Sequence, residues 1–162
     1  MRYQTKSQRC FGIDPGLANC GWSVVARTRA GKFVLMDSGC IRTSPSETEA
    51  SRLLAIFQRI TELLHVHAPN GVAIERVFHN KNISSSLKTA QVIGICQLTA
   101  EQAGIRCEMF TPQQVKASVC GHGGVEKAVV KKFVEKLTGV TVQNGHATDA
   151  VACAVGGLLR KV

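Results

Sequence analysis

The order of the apolar segments is the feature that most restricts how this chain of 162 residues can fold. Three short apolar segments come first, at residues 10–13, 21–26 and 32–36, the last with a continuation to residue 41. Pro and Gly at residues 15–16 demand a turn after the first segment, and Ala30-Gly31 gives a turn after the second. Short turns between strands predict an antiparallel three-stranded meander.

The rest of the chain alternates helical and strand patterns. A capping-box pattern, with Ser46 as the cap and Glu49 three residues on, predicts the start of a helix. Its apolar residues share one helical face: Ala50, Leu53, Leu54, Phe57, Ile60 and Leu64. Strands at 72–75 and 106–110 and helices at 83–103, 112–120, 125–137 and 147–160 follow. This order predicts an α/β domain with a mixed sheet, spanning residues 1–162 as a single unit.

The charge balance favours a polyanionic partner. The formal net charge is +9, and the basic residues are spread along the chain, which indicates a charged face on a folded body. Nucleic acid and acidic membrane surfaces both fit this charge, and so does simple solubility. No apolar run approaches the roughly 20 residues that a membrane-spanning helix needs, so we expect no membrane association.

The cysteines indicate neither a disulfide framework nor a zinc knuckle. There are seven of them, an odd number, and no Cys-x-x-Cys pair occurs. Most lie in apolar segments, where a free cysteine packs as a small hydrophobic side chain. This usage fits a reducing compartment, and we expect the protein in the cytoplasm.

A few acidic residues stand at positions that are costly for structure alone. Asp14 ends an apolar strand, Glu75 lies in another, and Asp149 begins an apolar helix with His146 three positions before it. Each has an ordinary explanation: Asp14 can cap its turn, Glu75 can pair with a neighbouring Arg such as Arg76, Asp149 can favour a helix dipole, and His146 can be a surface or capping residue. Together they suggest a site for divalent cations, which take carboxylate oxygens as ligands and can serve phosphodiester cleavage.

Five sequence blocks, in order, resemble the RuvC family of Holliday junction resolvases. The blocks are Gly12-Ile-Asp-Pro-Gly-Leu-Ala-Asn-Cys-Gly-Trp, Ala73-Ile-Glu-Arg-Val-Phe-His-Asn-Lys-Asn, Ser86-Leu-Lys-Thr-Ala-Gln with Gly94, Pro112-Gln-Gln-Val-Lys, and His146-Ala-Thr-Asp-Ala. They span nearly the whole chain. The resemblance implies an RNase H-like fold with a five-stranded mixed sheet in the order 3-2-1-4-5, flanked by helices. It also implies paired symmetric nicking of four-way DNA junctions in recombination and repair.

The same resemblance assigns the catalytic and metal-binding positions to Asp14, Glu75, His146 and Asp149, which would hold two Mg²⁺ or Mn²⁺ ions in each subunit. The best-known family pattern has Asp where this chain has His146. A neutral imidazole suits borderline ions better than Mg²⁺. We therefore predict a relatively strong response to Mn²⁺ and reduced activity at acid pH.

The resemblance also implies DNA contacts and partners. The DNA-binding candidates are Phe78, Lys81, Lys88, Lys116 and Lys127. Phe78 would stack on a base at the opened crossover, although core packing would explain it equally simply. A homodimer would match the symmetry of the junction, with the helix at 83–103 as its interface. The interface candidates are Leu87, Gly94 and Leu98. The branch-migration proteins RuvA and RuvB would be further partners.

Three other functions are compatible with parts of this pattern. An RNase H-like nuclease acting on RNA would share the acidic site, and a non-catalytic nucleic-acid-binding module would share the charge. A sugar-kinase-like ATPase is suggested by the Asp14 turn alone, but the chain is too short for the two domains of such an enzyme.

Overall fold

Five strands form one mixed sheet in a computed structural model that describes residues 8–76 and 83–162. The strands are β1 (Gln8–Asp14), β2 (Asn19–Arg27), β3 (Phe33–Arg42), β4 (Gly71–Glu75) and β5 (Arg106–Phe110). Their order is β3-β2-β1-β4-β5, as predicted. The first three pair antiparallel, whereas β4 runs parallel to β1 and β5 runs parallel to β4.

In the described part of the chain, five helices cover the two faces of this sheet. They are α1 (Glu49–His67), α2 (Ile83–Gln102), α3 (Pro112–Cys120), α4 (Lys127–Thr138) and α5 (Gly145–Arg160). Alternate residues of a strand point to opposite faces. Phe11 accordingly packs in a core with residues of α1 and α2, while Cys10 packs in a core with residues of α3, α4 and α5.

Helix α5 lies directly on the backbone of β1 and β2, because glycines leave room for it. A Cβ atom on Gly12 would overlap the carbonyl oxygen of Ala150 and lie 2.7 Å from the amide nitrogen of Ala154. A Cβ atom on Gly21 would overlap the carbonyl oxygen of His146. These contacts fix the first turns of α5 beside the end of β1.

The start of α1 differs from the prediction. Thr48, not Ser46, caps the helix, and its side chain accepts a hydrogen bond from the amide of Ser51. Ser46 is instead part of the preceding turn, where the Ser44 hydroxyl accepts from its amide. The carboxylate of Glu47 accepts from the Ser44 amide in the same turn.

The buried face of α1 also differs. It passes through Arg52, Ile56, Ile60, Leu63 and Leu64, whereas the predicted core residue Leu54 is 53% exposed. Apolar spacing could not identify this face, because a charged residue lies on it.

Two further helix starts are shifted by two residues. Helix α4 begins at Lys127 because Glu126 has an extended backbone and serves as its N-cap residue. Helix α5 begins at Gly145, since the side chain of Asn144 accepts hydrogen bonds from the amides of His146 and Ala147. The second shift places His146 inside the helix.

The cysteines agree with the sequence analysis: all seven are free. Within residues 8–76 and 83–162, no helix has the length and apolar character needed to cross a bilayer. That residues 1–162 form a single domain stays a prediction.

The close packing of α5 on β1 gives a test by stability. We expect Gly12→Ala to lower the free energy of unfolding by about 1–3 kcal/mol, because its methyl group meets backbone atoms that have little room to move. Gly156→Ala is the matched control on α5 itself. Its new Cβ would make only ordinary contacts, the nearest at 3.7 Å, and should leave stability unchanged or raise it by about 0.5–1 kcal/mol. Equal effects of the two variants in urea unfolding would contradict the packing argument.

Candidate active site

Asp14 and Glu75 meet at one edge of the sheet. Asp14 is the last residue of β1 and Glu75 is the last residue of β4. These strands are parallel neighbours, and Ile13 pairs in register with Ile74. Their carboxyl ends therefore present both carboxylates side by side, as the predicted strand order required.

Helix α5 brings the other two candidates to the same edge. The Nδ1 atom of His146 lies 2.8 Å from Oδ2 of Asp14. Asp149, one turn further along, forms an ion pair with the ammonium group of Lys127. The i, i+3 spacing predicted that His146 and Asp149 share a helix face, but it did not predict that they have different partners.

Burial and neighbouring charges shift the pKa values of groups at this edge of the sheet. Burial raises the pKa of Glu75, and the nearby charges of Asp14 and Asp149 raise it further, to about 7. Burial likewise raises the pKa of Asp14, and this outweighs the hydrogen bond from His146. Burial lowers the pKa of Lys127, but the hydrogen bond to Asp149 and the surrounding carboxylates more than compensate, so the net shift is upward.

This charge distribution fits a bound cation. Burial and nearby negative charge disfavour the ionised forms of Asp14 and Glu75, and a divalent ion, for which carboxylate oxygens are the preferred ligands, would stabilise them. In the arrangement of the described residues, however, no three His, Cys, Asp or Glu side chains are grouped tightly enough to hold an ion. Lys127 and His146 already pair with two of the carboxylates, so ion binding requires side-chain movement.

A groove beside the carboxylates contains two of the predicted DNA-binding lysines. Its charged lining consists of Glu75, Lys116, Lys127 and Asp149. Lys116 extends from α3, which Thr111 caps in a complete capping box, and Lys127 begins α4. The groove therefore combines anionic groups suited to metal ions with cations suited to phosphate.

The remaining predicted residues have different outcomes. Lys88 lies in a second groove, where it pairs with Glu49 at 2.7 Å. Phe78 and Lys81 lie outside the described residues. The dimer candidates all lie on α2: Leu87 is 63% exposed, Leu98 is 55% exposed, and a Cβ atom on Gly94 would have no atom within 4 Å.

Arg52 is a residue beside the candidate site that the sequence patterns did not single out. It is buried on α1 and lines the second groove together with Lys88 and His146. In the sequence it stands between Ser51 and Leu53 and gave no functional signal; the one hint was a charged residue on a helix face that must pack on the sheet.

The fold and the cluster of three carboxylates, Asp14, Glu75 and Asp149, together define a nuclease domain of the RNase H-like class. The family model described as crossover junction endodeoxyribonuclease RuvC matches residues 10–157, and the chain belongs to that family. The relatives of that name from Mycobacterium leprae and Mycobacterium tuberculosis are 38% and 37% identical over 149 residues. Those residues cover 91% of this chain and 79% of each relative.

Solved structures agree with this assignment. Thermus thermophilus RuvC is 30% identical with a TM-score of 0.88, covering 95% of both chains. The same protein in complex with a Holliday junction substrate is 31% identical with a TM-score of 0.90, covering 95% of this chain and 94% of that one. The yeast mitochondrial Holliday junction resolvase Ydc2 shares the fold, at 14% identity and a TM-score of 0.66.

The raised pKa of Glu75 gives a test in metal-free protein. A carboxyl group whose pKa rises on folding stabilises the folded state fully below its unfolded pKa of about 4.5, and this contribution is lost as pH rises through about 7. We expect the free energy of unfolding to fall by about 2–3 kcal/mol more in the wild type than in Glu75→Gln across that pH range.

Urea unfolding at a series of pH values, in the presence of a chelator, measures this difference. The control is Glu62→Gln, which removes an exposed carboxylate on α1 and should leave the wild-type pH dependence in place. A Glu75→Gln protein with the same pH dependence as the wild type would show that the carboxylate is not under electrostatic strain.

Proposed function

We propose that this protein resolves four-way DNA junctions by metal-dependent, paired, symmetric nicks during recombination and repair. The observation that carries the proposal is the meeting of Asp14, Glu75 and Asp149 at one sheet edge, beside Lys116 and Lys127, in a member of the RuvC family. The Thermus thermophilus relative solved with a Holliday junction supports this choice of substrate.

The alternatives have less support. The family description names an endodeoxyribonuclease, which favours DNA over RNA as the substrate. A module that only binds nucleic acid has no need for Asp14 and Glu75 side by side near Asp149, where burial and neighbouring negative charge raise the pKa of both Asp14 and Glu75. Placed beside a polyanion, those carboxylates would weaken binding unless a cation lay between them.

The family needs divalent metal ions. We propose two Mg²⁺ or Mn²⁺ ions in each subunit, held by Asp14, Glu75, Asp149 and His146. Bound there, such ions would supply the positive charge that stabilises the attacking and leaving oxygens of phosphodiester hydrolysis. The stronger response to Mn²⁺ and the loss of activity at acid pH, both inferred from His146, stay predictions.

The chain's own residues would orient the ligands and the substrate. The 2.8 Å contact between His146 and Asp14 limits where that carboxylate can point until an ion binds. Lys127 balances the charge of Asp149 and has its side chain 70% exposed, so its ammonium group can reach a phosphate that enters the groove. Lys116 lines the same groove and would bind the backbone next to the reacting phosphate.

We further propose a homodimer that uses α2. Ile83, Leu87 and Leu98 are exposed apolar side chains of this helix, and Gly94 has open space above it. Their spacing of four, seven and four residues places them along one stripe of the helix. A two-fold pairing of this stripe would give two identical sites for two symmetric nicks.

Two further proposals rest on family membership and composition. The protein would act in the cytoplasm, where seven free cysteines are compatible with a reducing environment. RuvA and RuvB would be its partners on the junction.

The metal site is tested by Asp14→Asn. We expect this variant to lose junction cleavage by at least about 100-fold while it still binds the junction, because it removes a charge needed for the metals and not a DNA contact. Cleavage and binding of a labelled synthetic junction are measured separately. Asp37→Asn, which removes a carboxylate on β3 outside the site, should cut at the wild-type rate. Wild-type cleavage by Asp14→Asn would refute the metal assignment.

The dimer interface is tested by Leu98→Glu. A charge placed in an apolar interface lacks a partner, so we expect this variant to be monomeric in sedimentation or light scattering. Leu54→Glu is the matched control, because Leu54 has nearly the same exposure but lies on α1. A dimeric Leu98→Glu protein would place the interface elsewhere.

A further inference from the structure

A second groove adjoins the candidate active site through His146. Its lining comes from the turn after β1, from α1, from α2 and from the start of α5: Gly16, Leu17, Ala18, Asn19, Arg52, Ser85, Lys88, Thr89 and His146. Among the described residues, the charged side chains of this lining are those of Arg52 and Lys88, both cationic, and none is a carboxylate. The groove is thus positively charged, whereas the neighbouring cluster of Asp14, Glu75 and Asp149 is negatively charged.

Arg52 is the unusual member of this lining. Only 8% of the residue is exposed, although it carries a full charge. Its Nε atom donates a hydrogen bond to the Thr43 hydroxyl at 2.8 Å, and that hydroxyl donates to the carbonyl of Leu17. Arg52 is thereby held against the turn that follows β1.

The terminal nitrogens of Arg52 have no such partner. Within residues 8–76 and 83–162, the bond to Thr43 is the only hydrogen bond that the Arg52 side chain donates, and no carboxylate pairs with it. Among residues 8–76 and 83–162, Ser23 Oγ is the one fully buried side-chain polar atom without a hydrogen-bond partner, so the terminal nitrogens of Arg52 keep contact with the solvent of the groove. A guanidinium group that lines a groove and has free donors is suited to bidentate binding of a phosphate.

The start of α2 adds to this preference for an anion. Ser85, in its first turn, lines the groove, and that turn contains no acidic residue. The positive end of the helix dipole therefore lies near the groove. Lys88 stands one turn further on, and its salt bridge with Glu49 joins two half-exposed side chains, so an arriving phosphate can replace Glu49 as its partner.

We propose that this groove is a second phosphate-binding site, and that Arg52 anchors there a backbone phosphodiester that flanks the one to be cut. The inference rests on the proposed function, since it concerns the same DNA strand. Phosphates follow one another along a strand at a rise of about 3.4 Å per nucleotide in duplex DNA, so a strand that passes the carboxylates presents further phosphates to the neighbouring groove. Binding there would fix the strand's register relative to Asp14 and Glu75.

The first experiment uses the wild-type protein and modified DNA. Single uncharged methylphosphonate linkages are placed in turn on either side of the cleavage position, and junction affinity is measured by fluorescence anisotropy in the presence of a chelator. We expect one flanking linkage at which loss of charge weakens binding about 10-fold, as for a charge-assisted hydrogen bond. The same substitution should have little effect on the Arg52→Gln protein.

Three variants test whether Arg52 binds the phosphate of that linkage. Arg52→Gln should weaken binding of the unmodified junction about 10-fold and lower the slope of log K against log salt by about 0.9 for each subunit on the DNA. Arg52→Lys keeps the charge but lacks the planar guanidinium group that can donate two parallel hydrogen bonds. Its affinity should therefore be intermediate, and its salt slope should be close to that of the wild type. Arg59→Gln, on the exposed side of α1 and paired with Glu62, should match the wild type in both measurements.

A purely structural role for Arg52 gives a different result. In that case Arg52→Gln would lower the melting temperature but leave the salt slope and the linkage effect unchanged, which would overturn the proposal. If Arg52→Gln does not fold, Lys88→Gln is the second variant, because its side chain lies at the half-exposed rim. In Lys88→Gln, the uncharged linkage at the same flanking position must weaken junction binding less than it does in the wild type. An equal loss of affinity in the two proteins would also overturn the proposal.

The outcome also separates this proposal from the proposed function. If the wild type cuts junctions but no flanking linkage depends on Arg52 or Lys88, the phosphate site is wrong and the nuclease assignment stands. If the wild type neither binds nor cuts junctions, both are wrong.

Discussion

The contact between α5 and the sheet is the constraint on which the candidate active site depends. Gly12 and Gly21 allow the backbone of α5 to touch β1 and β2 without intervening side chains. This closeness brings His146 within 2.8 Å of Asp14, although 132 residues separate them in sequence. An additional methyl group at either glycine would push the start of α5 outward and separate the two halves of the site. The glycines therefore support the geometry of the candidate site as well as the packing of the core.

The cluster of Asp14, Glu75 and Asp149 is costly to the stability of the folded protein but suits the proposed function. Burial at the sheet edge and mutual repulsion raise the pKa of Glu75 to about 7, so the ionised site is costly to the folded protein. Lys127 and His146 reduce that cost by pairing with Asp149 and Asp14. Divalent ions would reduce it further, and the same ions would serve the reaction. A site of this kind is expected to be strained until it binds its ions.

Much of the fold was accessible from local patterns. Turn residues and strand spacing identified all five strands, and the family resemblance gave their order. With that order, Asp14 and Glu75 had to meet, because parallel neighbours end at the same edge. The N-terminus of α1 was harder to predict, because Thr48 and Ser46 are both good N-cap residues. Ser46 belongs to the preceding turn, which leaves Thr48 as the cap.

Side-chain pairing was the part that sequence reasoning missed. Spacing along a helix shows which residues share a face, but the partners of His146 and Asp149 come from β1 and α4, which no local pattern specifies. Arg52 was missed for a similar reason. Its burial follows from the way α1 lies on the sheet, and a charged residue on that face contradicts the apolar pattern by which the face was sought.

Cleavage of a synthetic four-way junction beside a linear duplex of matched sequence, with Mg²⁺ or Mn²⁺, tests the central claim most directly. We expect two symmetric nicks in the junction, dependent on the metal, and no comparable cutting of the duplex. Equal cutting of both substrates, or a junction that stays intact with both metals, would contradict the central claim.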